Sequence, residues 1–189
     1  MTKCLIFDLD GTLIKLPIRY EILQKNLQNF FHTEDNLSPL IPSIIDQAKS
    51  NQKVIDDAFK IVCNEELIAT ESLEEIEGLH DVIKYVTSKN YTISLVTMQC
   101  KQSLDIILKK LNLEKVFSSI LTRDDYPDRF LQIQRTCESL NFNPSDVTMI
   151  GDRIHDINSA NQANCKSILV NRDDIDSKKL LELIDILRN

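Results

Sequence analysis

Aspartates stand at two points of this 189-residue sequence where an apolar run ends. Asp8 and Asp10 directly follow one run, and Asp152 and Asp156 follow another, 140 or more positions later. A single aspartate in such a place most often caps a helix. Helix capping alone does not explain why two such patterns occur in one sequence, Asp-Leu-Asp-Gly-Thr and Gly-Asp-Arg-Ile-His-Asp. We therefore interpret them as parts of one chemical site.

The elements that would position this site alternate between strand and helix. Runs that are apolar on both faces predict strands at residues 4–7, 92–97, 119–122, 147–150 and 167–170. Apolar residues at three- and four-residue spacing predict helices at residues 79–89, 101–111, 129–140, 155–163 and 176–187. This alternation predicts an α/β fold with a doubly wound parallel sheet.

In such a sheet the carboxyl ends of the strands meet at one edge, which is where ligands bind. The four aspartates would converge there and repel one another. A hard divalent cation relieves that repulsion, and carboxylate oxygens with water suit Mg²⁺. Mg²⁺ commonly reaches substrate phosphate directly, so the site predicts a phosphorylated substrate.

Residues 15–76 break the alternation. They carry no convincing strand, but they give two or three helical stretches, at roughly residues 20–31, 41–50 and 52–70. The segment is too long for an ordinary crossover. We expect a core made of residues 1–14 and 78–189, with residues 15–77 inserted as a helical cap over the edge of the sheet.

Composition narrows the class of protein. Hydrophobic residues make up 42% of the chain and the formal net charge is −7. That charge argues against nonspecific binding to nucleic acid or anionic membranes, and no apolar run is long enough for a membrane helix. The five cysteines are scattered without a CxxC pair, so we expect reduced thiols in a cytoplasmic protein.

Glycine occurs only three times, at Gly11, Gly78 and Gly151. Where predicted helices end, asparagine stands instead, and asparagine is the next best residue for a left-handed backbone. These residues are Asn90, Asn112, Asn141 and Asn164. Gly11 and Gly151, both beside aspartates, therefore mark positions where even asparagine does not serve.

With these residues in view, the sequence resembles the haloacid dehalogenase (HAD) superfamily, and most closely its small phosphoglycolate-phosphatase-like members. Asp8-Leu9-Asp10-Gly11-Thr12 resembles the first motif of that family. The segment from Gly151 to Asp156 resembles the fourth, and Thr97 stands where the second places Ser or Thr. The helical insertion matches the family's cap, so the resemblance covers nearly the whole chain.

The resemblance implies a mechanism. Asp8 would attack phosphorus to form an aspartyl-phosphate, and Asp10 would act as general acid and base. Asp8, the Asp10 carbonyl, Asp152 and Asp156 would hold Mg²⁺, with Asp156 either a ligand or the partner of a metal-bound water. Phosphoryl oxygens would be bound by Thr97 and the Met98 amide, with Gly11 permitting close approach. An acid at position 10 favours phosphoryl over carbon–halogen chemistry.

This chain departs from the family at the third motif. Relatives place a lysine about two dozen residues before the fourth motif, but no lysine occurs between Lys115 and Lys166. Arg129 best fits the position, Arg123 is the second candidate, and a site without a functional cation remains open. Arg135, in the middle of a predicted helix, is expected to face solvent. His155 is expected to have a surface or capping role.

The sequence thus predicts a magnesium-dependent hydrolase of a small phosphorylated metabolite. Two alternatives remain: phosphoryl transfer between sugar positions, as in the mutases of the family, and a degenerate fold kept for binding. Arg19, Lys25 and Lys53 are the cations of the insertion that could meet a second anionic group.

Overall fold

The computed structural model describes residues 3–171 and 179–188. Within these residues the strands are β1 (Cys4–Phe7), β2 (Ile14–Lys15), β3 (Glu74–Glu75), β4 (Thr92–Val96), β5 (Ser119–Leu121), β6 (Val147–Gly151) and β7 (Lys166–Leu169). The helices are α1 (Tyr20–Phe31), α2 (Leu40–Gln47), α3 (Gln52–Ala69), α4 (Leu79–Ser88), α5 (Lys101–Lys110), α6 (Arg129–Leu140), α7 (Ile154–Gln162) and α8 (Leu183–Arg188).

Five strands form one parallel sheet in the order β5-β4-β1-β6-β7. Strand β1 is central and every one of its residues is buried. Its last residue, Phe7, pairs with Leu95 on one side and Ile150 on the other. The predicted α/β fold with a parallel sheet is confirmed, and Asp8 leaves the sheet at its middle.

Helices cover both faces of this sheet because side chains of a strand alternate between faces. Leu5 and Phe7 pack with apolar residues of α4, α5 and α8 in one buried cluster. Cys4 and Ile6 pack with residues of α6 and α7 in another. Burying each large apolar side chain contributes roughly 1.5–3 kcal/mol, so β1 is held from both sides.

The asparagines predicted to end helices adopt the left-handed backbone conformation. Asn90, Asn112, Asn141 and Asn164 have φ between 55° and 58°. At Asn141 the chain reverses with the amide of Phe142 donating to the carbonyl of Cys137 at 3.0 Å, which satisfies a free carbonyl at the helix end. This prediction is confirmed.

Helices α1, α2 and α3 surround an apolar cluster of their own, which includes Leu23, Leu27, Ile44 and Val62. The expectation that residues 15–76 carry no strand was wrong, because Lys15 and Glu74–Glu75 take part in the antiparallel pair β2–β3. Strands of two residues are too short to show a periodicity in sequence. The pair brings together the two ends of the helical segment.

Helix α3 is joined to the loops after β4 and β5 by buried polar contacts. The Arg123 guanidinium forms an ion pair with Glu66 of α3 at 2.6 Å, and both side chains are almost fully buried. The other carboxylate oxygen of Glu66 accepts the amide of Cys100 at 2.8 Å. Arg123 also lies 5.0 Å from the centre of the Phe59 ring.

The expectation of five reduced thiols was wrong. Cys63 of α3 and Cys100 form a disulfide, with their Cα atoms 5.6 Å apart. The pair is 37 residues apart in sequence, and it meets only because α3 packs beside α5. Cys4, Cys137 and Cys165 are free and buried. Because disulfides persist mainly in oxidising compartments, the cysteines no longer support the predicted cytoplasmic location.

The last predicted helix, residues 176–187, falls partly on 172–178, outside the described residues. Its described part is a 3₁₀ turn at Leu180–Glu182 followed by α8. No helix among the described residues is both long enough and apolar enough to cross a bilayer.

The disulfide gives a stability prediction. Replacing Cys63 and Cys100 with alanine should lower the free energy of unfolding by about 4 kcal/mol in the absence of reductant, because the loop they close restricts the unfolded chain. Urea unfolding with and without a phosphine reductant measures this. With reductant, wild type and variant should become nearly equal. Alkylation of five thiols in the unreduced, denatured protein would contradict the disulfide.

Candidate active site

Carboxylates meet where β1 and β6 end. The amide of Asp8 continues the sheet by donating to the carbonyl of Ile150 at 2.9 Å, and Asp152 follows Gly151, the last residue of β6. Asp156 lies in the first turn of α7 and its carboxylate accepts the amide of Arg153 at 3.2 Å. Carboxylate oxygens of Asp8, Asp152 and Asp156 all lie within 4.8 Å of one another.

Two glycines make this convergence possible. Gly11 has φ of +87°, and a Cβ atom there would lie 2.2 Å from a carboxylate oxygen of Asp152. A Cβ atom at Gly151 would lie 2.6 Å from Asp156. The neighbours that exclude a side chain at Gly11 and Gly151 are thus the carboxylates themselves.

Asp10 lies beside the three carboxylates rather than among them. Its side chain accepts the amide of Leu16 at 2.8 Å, which fixes its orientation, and it lines the cavity described below. Burial raises the pKa of Asp10 above its usual range, which favours the protonated form. A carboxyl group held in this way suits proton transfer.

It is electrostatically unfavourable for all three carboxylates of this cluster to be charged at once. Burial, with added repulsion from Asp156 and Asp152, raises the pKa of Asp8 to about 8, although the Arg129 guanidinium opposes the shift. Burial is also the main reason that the pKa of Asp152 rises to about 6, with repulsion from Asp156 and Asp10 adding to it. The charged state of this cluster needs a positive partner.

A divalent cation fits this cluster. The Oδ1 atom of Asp152 is buried and has no hydrogen-bond partner among the described residues, so it is free to bind a ligand. The converging donors are carboxylate oxygens, which Mg²⁺ prefers. Asp8, Asp152 and Asp156 are the residues that could hold the ion.

Arg129 supplies a positive charge to the same cluster. It is the first residue of α6, which Asp128 caps by accepting the amide of Leu131 at 2.8 Å. Its Nη2 atom lies 2.5 Å from Asp8 Oδ1 and its Nε atom 2.9 Å from Asp156 Oδ1. Only 4% of Arg129 is exposed, so solvent screens these pairs weakly.

The other two arginine candidates are engaged elsewhere. Arg123 is paired with Glu66, and its Nη1 also donates to the carbonyl of Met98 at 2.5 Å. Arg135 lies on the exposed side of α6 and pairs with Glu138 at 2.7 Å. Of the three candidates, Arg129 is the one that contacts Asp8.

Thr97 is fully buried at the end of β4. Its hydroxyl hydrogen-bonds the side-chain carbonyl of Gln99, and its own carbonyl accepts the side chain of Gln132 at 2.9 Å. The cavity borders on Met98 and Gln99 rather than on Thr97. The threonine hydroxyl therefore has an internal partner, while the two residues after it face the space above the carboxylates.

Several residues near the site were missed by the sequence analysis. Thr12 Oγ1 lies 3.5 Å from Asp8 Oδ2, and Asn171 Nδ2 donates to the carbonyls of Gly11 and Thr12 at 3.0 and 2.9 Å. Arg153 is exposed and lines the cavity, and its place beside Asp152 was the signal for it. His155, for which a surface or capping role was expected, is exposed and also lines the cavity. Nothing in the sequence indicated Asn171.

A cavity of about 400 Å³ lies between the carboxyl edge of the sheet and the helical segment. Asp8, Asp10, Arg129 and Asp156 lie at the sheet side of it. Residues of α1, α2 and α3 complete the wall. Its volume is within the range of small-molecule sites, about 300–1,000 Å³.

Comparison with known proteins agrees with this arrangement. The sequence is 28% identical to the pyrophosphatase PpaX of Bacillus mycoides (strain KBAB4), over 87% of this chain and 81% of the relative. The fold is similar to a predicted phosphatase from Clostridium acetobutylicum, with a TM-score of 0.78, 21% identity and full coverage of both chains. It is also similar to a predicted phosphoglycolate phosphatase from Haemophilus somnus 129pt, with a TM-score of 0.70, 17% identity and 98% coverage of each chain.

The family model of the haloacid dehalogenase-like hydrolases matches residues 5–170. That range contains both aspartate motifs, the whole helical segment and all five strands of the main sheet except the first residue of β1. The resemblance drawn from the motifs is confirmed, and this chain belongs to the haloacid dehalogenase-like hydrolases.

Proposed function

We propose that this hydrolase cleaves phosphate monoesters of a small metabolite in a magnesium-dependent reaction with Asp8 as the nucleophile. The observation that supports this most is the buried contact of Asp8 with Arg129 inside a group of three carboxylates at the base of a cavity. A hydrolase of this family with such a site is suited to phosphoryl transfer. Relatives named as phosphatases support the same reaction class.

In the proposed reaction a carboxylate oxygen of Asp8 attacks phosphorus, and the bond from phosphorus to the ester oxygen breaks. Asp10 gives its proton to the departing alcohol. Water then attacks the aspartyl-phosphate, Asp10 accepts a proton from that water, and inorganic phosphate leaves. The raised pKa of Asp10 favours its acid form at the start.

Charge on the transferring phosphoryl group is stabilised from two directions. Arg129 is already paired with Asp8 and Asp156 and donates from Nη1 to Gln132, and the remaining N–H groups of its two Nη atoms can bind a phosphoryl oxygen. The Met98 amide and the Thr97 hydroxyl are proposed donors on the opposite side, with Gly11 leaving room for the phosphate. For Thr97 this requires its hydroxyl to exchange Gln99 for the phosphoryl oxygen.

Mg²⁺ is the proposed cofactor. Asp8, Asp152, Asp156 and the backbone carbonyl of Asp10 would hold it, with Asp156 acting directly or through a water. When bound, the ion neutralises charge on the phosphoryl oxygens and on the carboxylates around it.

The helical segment is proposed to act as a cap. Residues 1–14 and 78–189 would form the catalytic core and residues 15–77 the cap, whose ends are joined by β2 and β3. A small phosphorylated metabolite is the expected partner. The cytoplasm, and the absence of nucleic-acid and membrane partners, remain predictions.

The two alternatives differ in what supports them. The binding-protein hypothesis rested on the missing lysine, and the pairing of Arg129 with Asp8 removes that motive. Mutase-type transfer shares the first half of the reaction. Trapping the aspartyl-phosphate and comparing its discharge by water with discharge by a sugar phosphate separates the two reactions.

The proposed function predicts strict dependence on Asp8. Asp8→Asn should lower kcat for p-nitrophenyl phosphate by about 10³-fold or more, because an amide cannot attack phosphorus. Wild type should need Mg²⁺ for activity. Asp105→Asn, an exposed change on α5, is the control and should match wild type. Activity in Asp8→Asn, or full activity in a chelator, would refute the proposal.

Arginine variants test the choice of cation. Arg129→Ala should lower kcat/KM by about 10²- to 10³-fold, as loss of a charge-stabilising donor does. Arg129→Lys should retain a large part of the activity, because lysine also carries the required charge. Arg123→Ala should mainly reduce stability, by about 3–5 kcal/mol, since it leaves Glu66 buried without its partner.

Activity per folded molecule and urea unfolding together distinguish these effects. Arg135→Ala is the matched control, since it removes an exposed arginine from the same helix as Arg129. Equal and small losses of activity from Arg129→Ala and Arg123→Ala would contradict the assignment of Arg129.

Asp10 has a separate prediction. Asp10→Asn should lower kcat by about 10²- to 10⁴-fold through loss of general acid–base catalysis. The Mg²⁺ concentration for half-maximal activity should change little, because the backbone carbonyl of residue 10 survives the substitution. Loss of Mg²⁺ affinity as the main defect would argue against the acid–base role.

A further inference from the structure

The wall of the cavity that faces the sheet edge is mainly apolar, with Tyr20 and Glu66 as its polar members. It is formed by side chains of the helical segment, among them Leu23, Leu40, Ile41 and Val62. Met98, from the loop after β4, extends the apolar surface. A ligand whose phosphate reaches Asp8 would therefore place its remaining part against hydrocarbon.

The charged groups around the cavity are unfavourable to a second anion. Carboxylates outnumber guanidinium groups among its described lining residues, the carboxylates being Asp8, Asp10, Glu66, Asp128 and Asp156 and the guanidinium groups Arg123, Arg129 and Arg153. No lysine is among the described residues that line it. Near Asp8, one substrate phosphate and one divalent cation already complete the balance of charge.

Each of the three arginines has a defined position relative to the apolar wall. Arg123 is buried against Glu66, and Arg129 is buried against Asp8 and Asp156. Arg153 is exposed, with its Nε atom 4.0 Å from Asp152, and its guanidinium also interacts with the Tyr20 hydroxyl at the start of α1. Arg123 and Arg129 are therefore engaged by buried carboxylates, and Arg153 is engaged by Asp152 and Tyr20.

The three cations of the helical segment that could meet a second anionic group of the substrate do not change this. Arg19 pairs with Glu65 at 2.9 Å, and Lys25 and Lys53 are exposed. All three lie outside the described lining of the cavity. The idea that one of them binds a second anionic group of the substrate thus has no geometric support.

We propose that the cavity selects monophosphate esters of apolar alcohols, alkyl or aryl, and disfavours substrates with a second anionic group. This rests on the proposed phosphatase function and names its substrate class. The reaction converts the ester and water into the free alcohol and inorganic phosphate. Pyrophosphate, the substrate class in the name of the PpaX relatives, and phosphoglycolate would be poor substrates.

A chain-length series tests the proposal. With n-alkyl phosphates from ethyl to hexyl, kcat/KM should rise about three- to fourfold per methylene until the wall is covered, which is the gain expected for burying one methylene. Phosphoglycolate and pyrophosphate should fall below ethyl phosphate. A flat series, or a preference for phosphoglycolate or pyrophosphate, would overturn the substrate class while leaving the phosphatase function intact.

Binding supplies a readout that does not depend on turnover. Calorimetry of wild type with Mg²⁺ should show tighter binding of hexylphosphonate than of ethylphosphonate, and weaker binding of phosphonoacetate than of either. That order in a protein without activity would support the binding class and refute the phosphatase. Equal affinities, or no binding of any phosphonate, would overturn the substrate class.

Paired variants locate the selectivity. Leu40→Arg places a cation on the half-buried part of the wall, so it should lower kcat/KM for hexyl phosphate at least about tenfold and raise it for phosphoglycolate. Ile22→Arg, exposed on α1 and outside the described lining, should leave both unchanged. Unchanged selectivity in folded Leu40→Arg would contradict the role of this wall, and the alkyl series on wild type decides the case if that variant does not fold.

Discussion

The crowding of three carboxylates at the carboxyl edge of the sheet is the constraint on which the rest of the site depends. Oxygens of Asp8, Asp152 and Asp156 within 4.8 Å of one another are costly when charged and buried. The chain admits this crowding by leaving out side chains at Gly11 and Gly151, where a Cβ atom would collide with Asp152 or Asp156. Such a cluster needs a compensating positive charge, and Arg129 supplies part of that charge.

Arg129 and Arg123 are both buried but bind different partners. Arg129 begins α6 and reaches the carboxylates of the sheet edge, whereas Arg123 pairs with Glu66 and joins α3 to the loop after β5. The Cys63–Cys100 disulfide lies beside the second pair. The helical segment is thus fixed near the site by groups that do not themselves face the carboxylates. Its apolar side chains are left to form the cavity wall.

Periodicity and motif spacing were enough to predict the parallel sheet, the helical character of the segment between β2 and β3, and the left-handed asparagines, because each is set by local sequence. The convergence of Asp8 with Asp152 followed from topology alone. Contacts made between distant segments could not be predicted in the same way. The Cys63–Cys100 pair, the partner of Arg123 and the link from Asn171 to the loop at Gly11 depend on how α3 and β7 pack. The β2–β3 pair was missed because two residues carry no pattern.

Calorimetric titration of Mg²⁺ into the purified protein, in buffers of different ionisation enthalpy between pH 6 and 8, tests the central claim most directly. Burial raises the pKa of Asp8 and Asp152, and the ion binds the ionised carboxylates. The apparent affinity should therefore rise with pH over this range, with protons released on binding, and Asp152→Asn should abolish the site. The absence of Mg²⁺ binding, or binding that releases no protons and survives Asp152→Asn, would contradict the account.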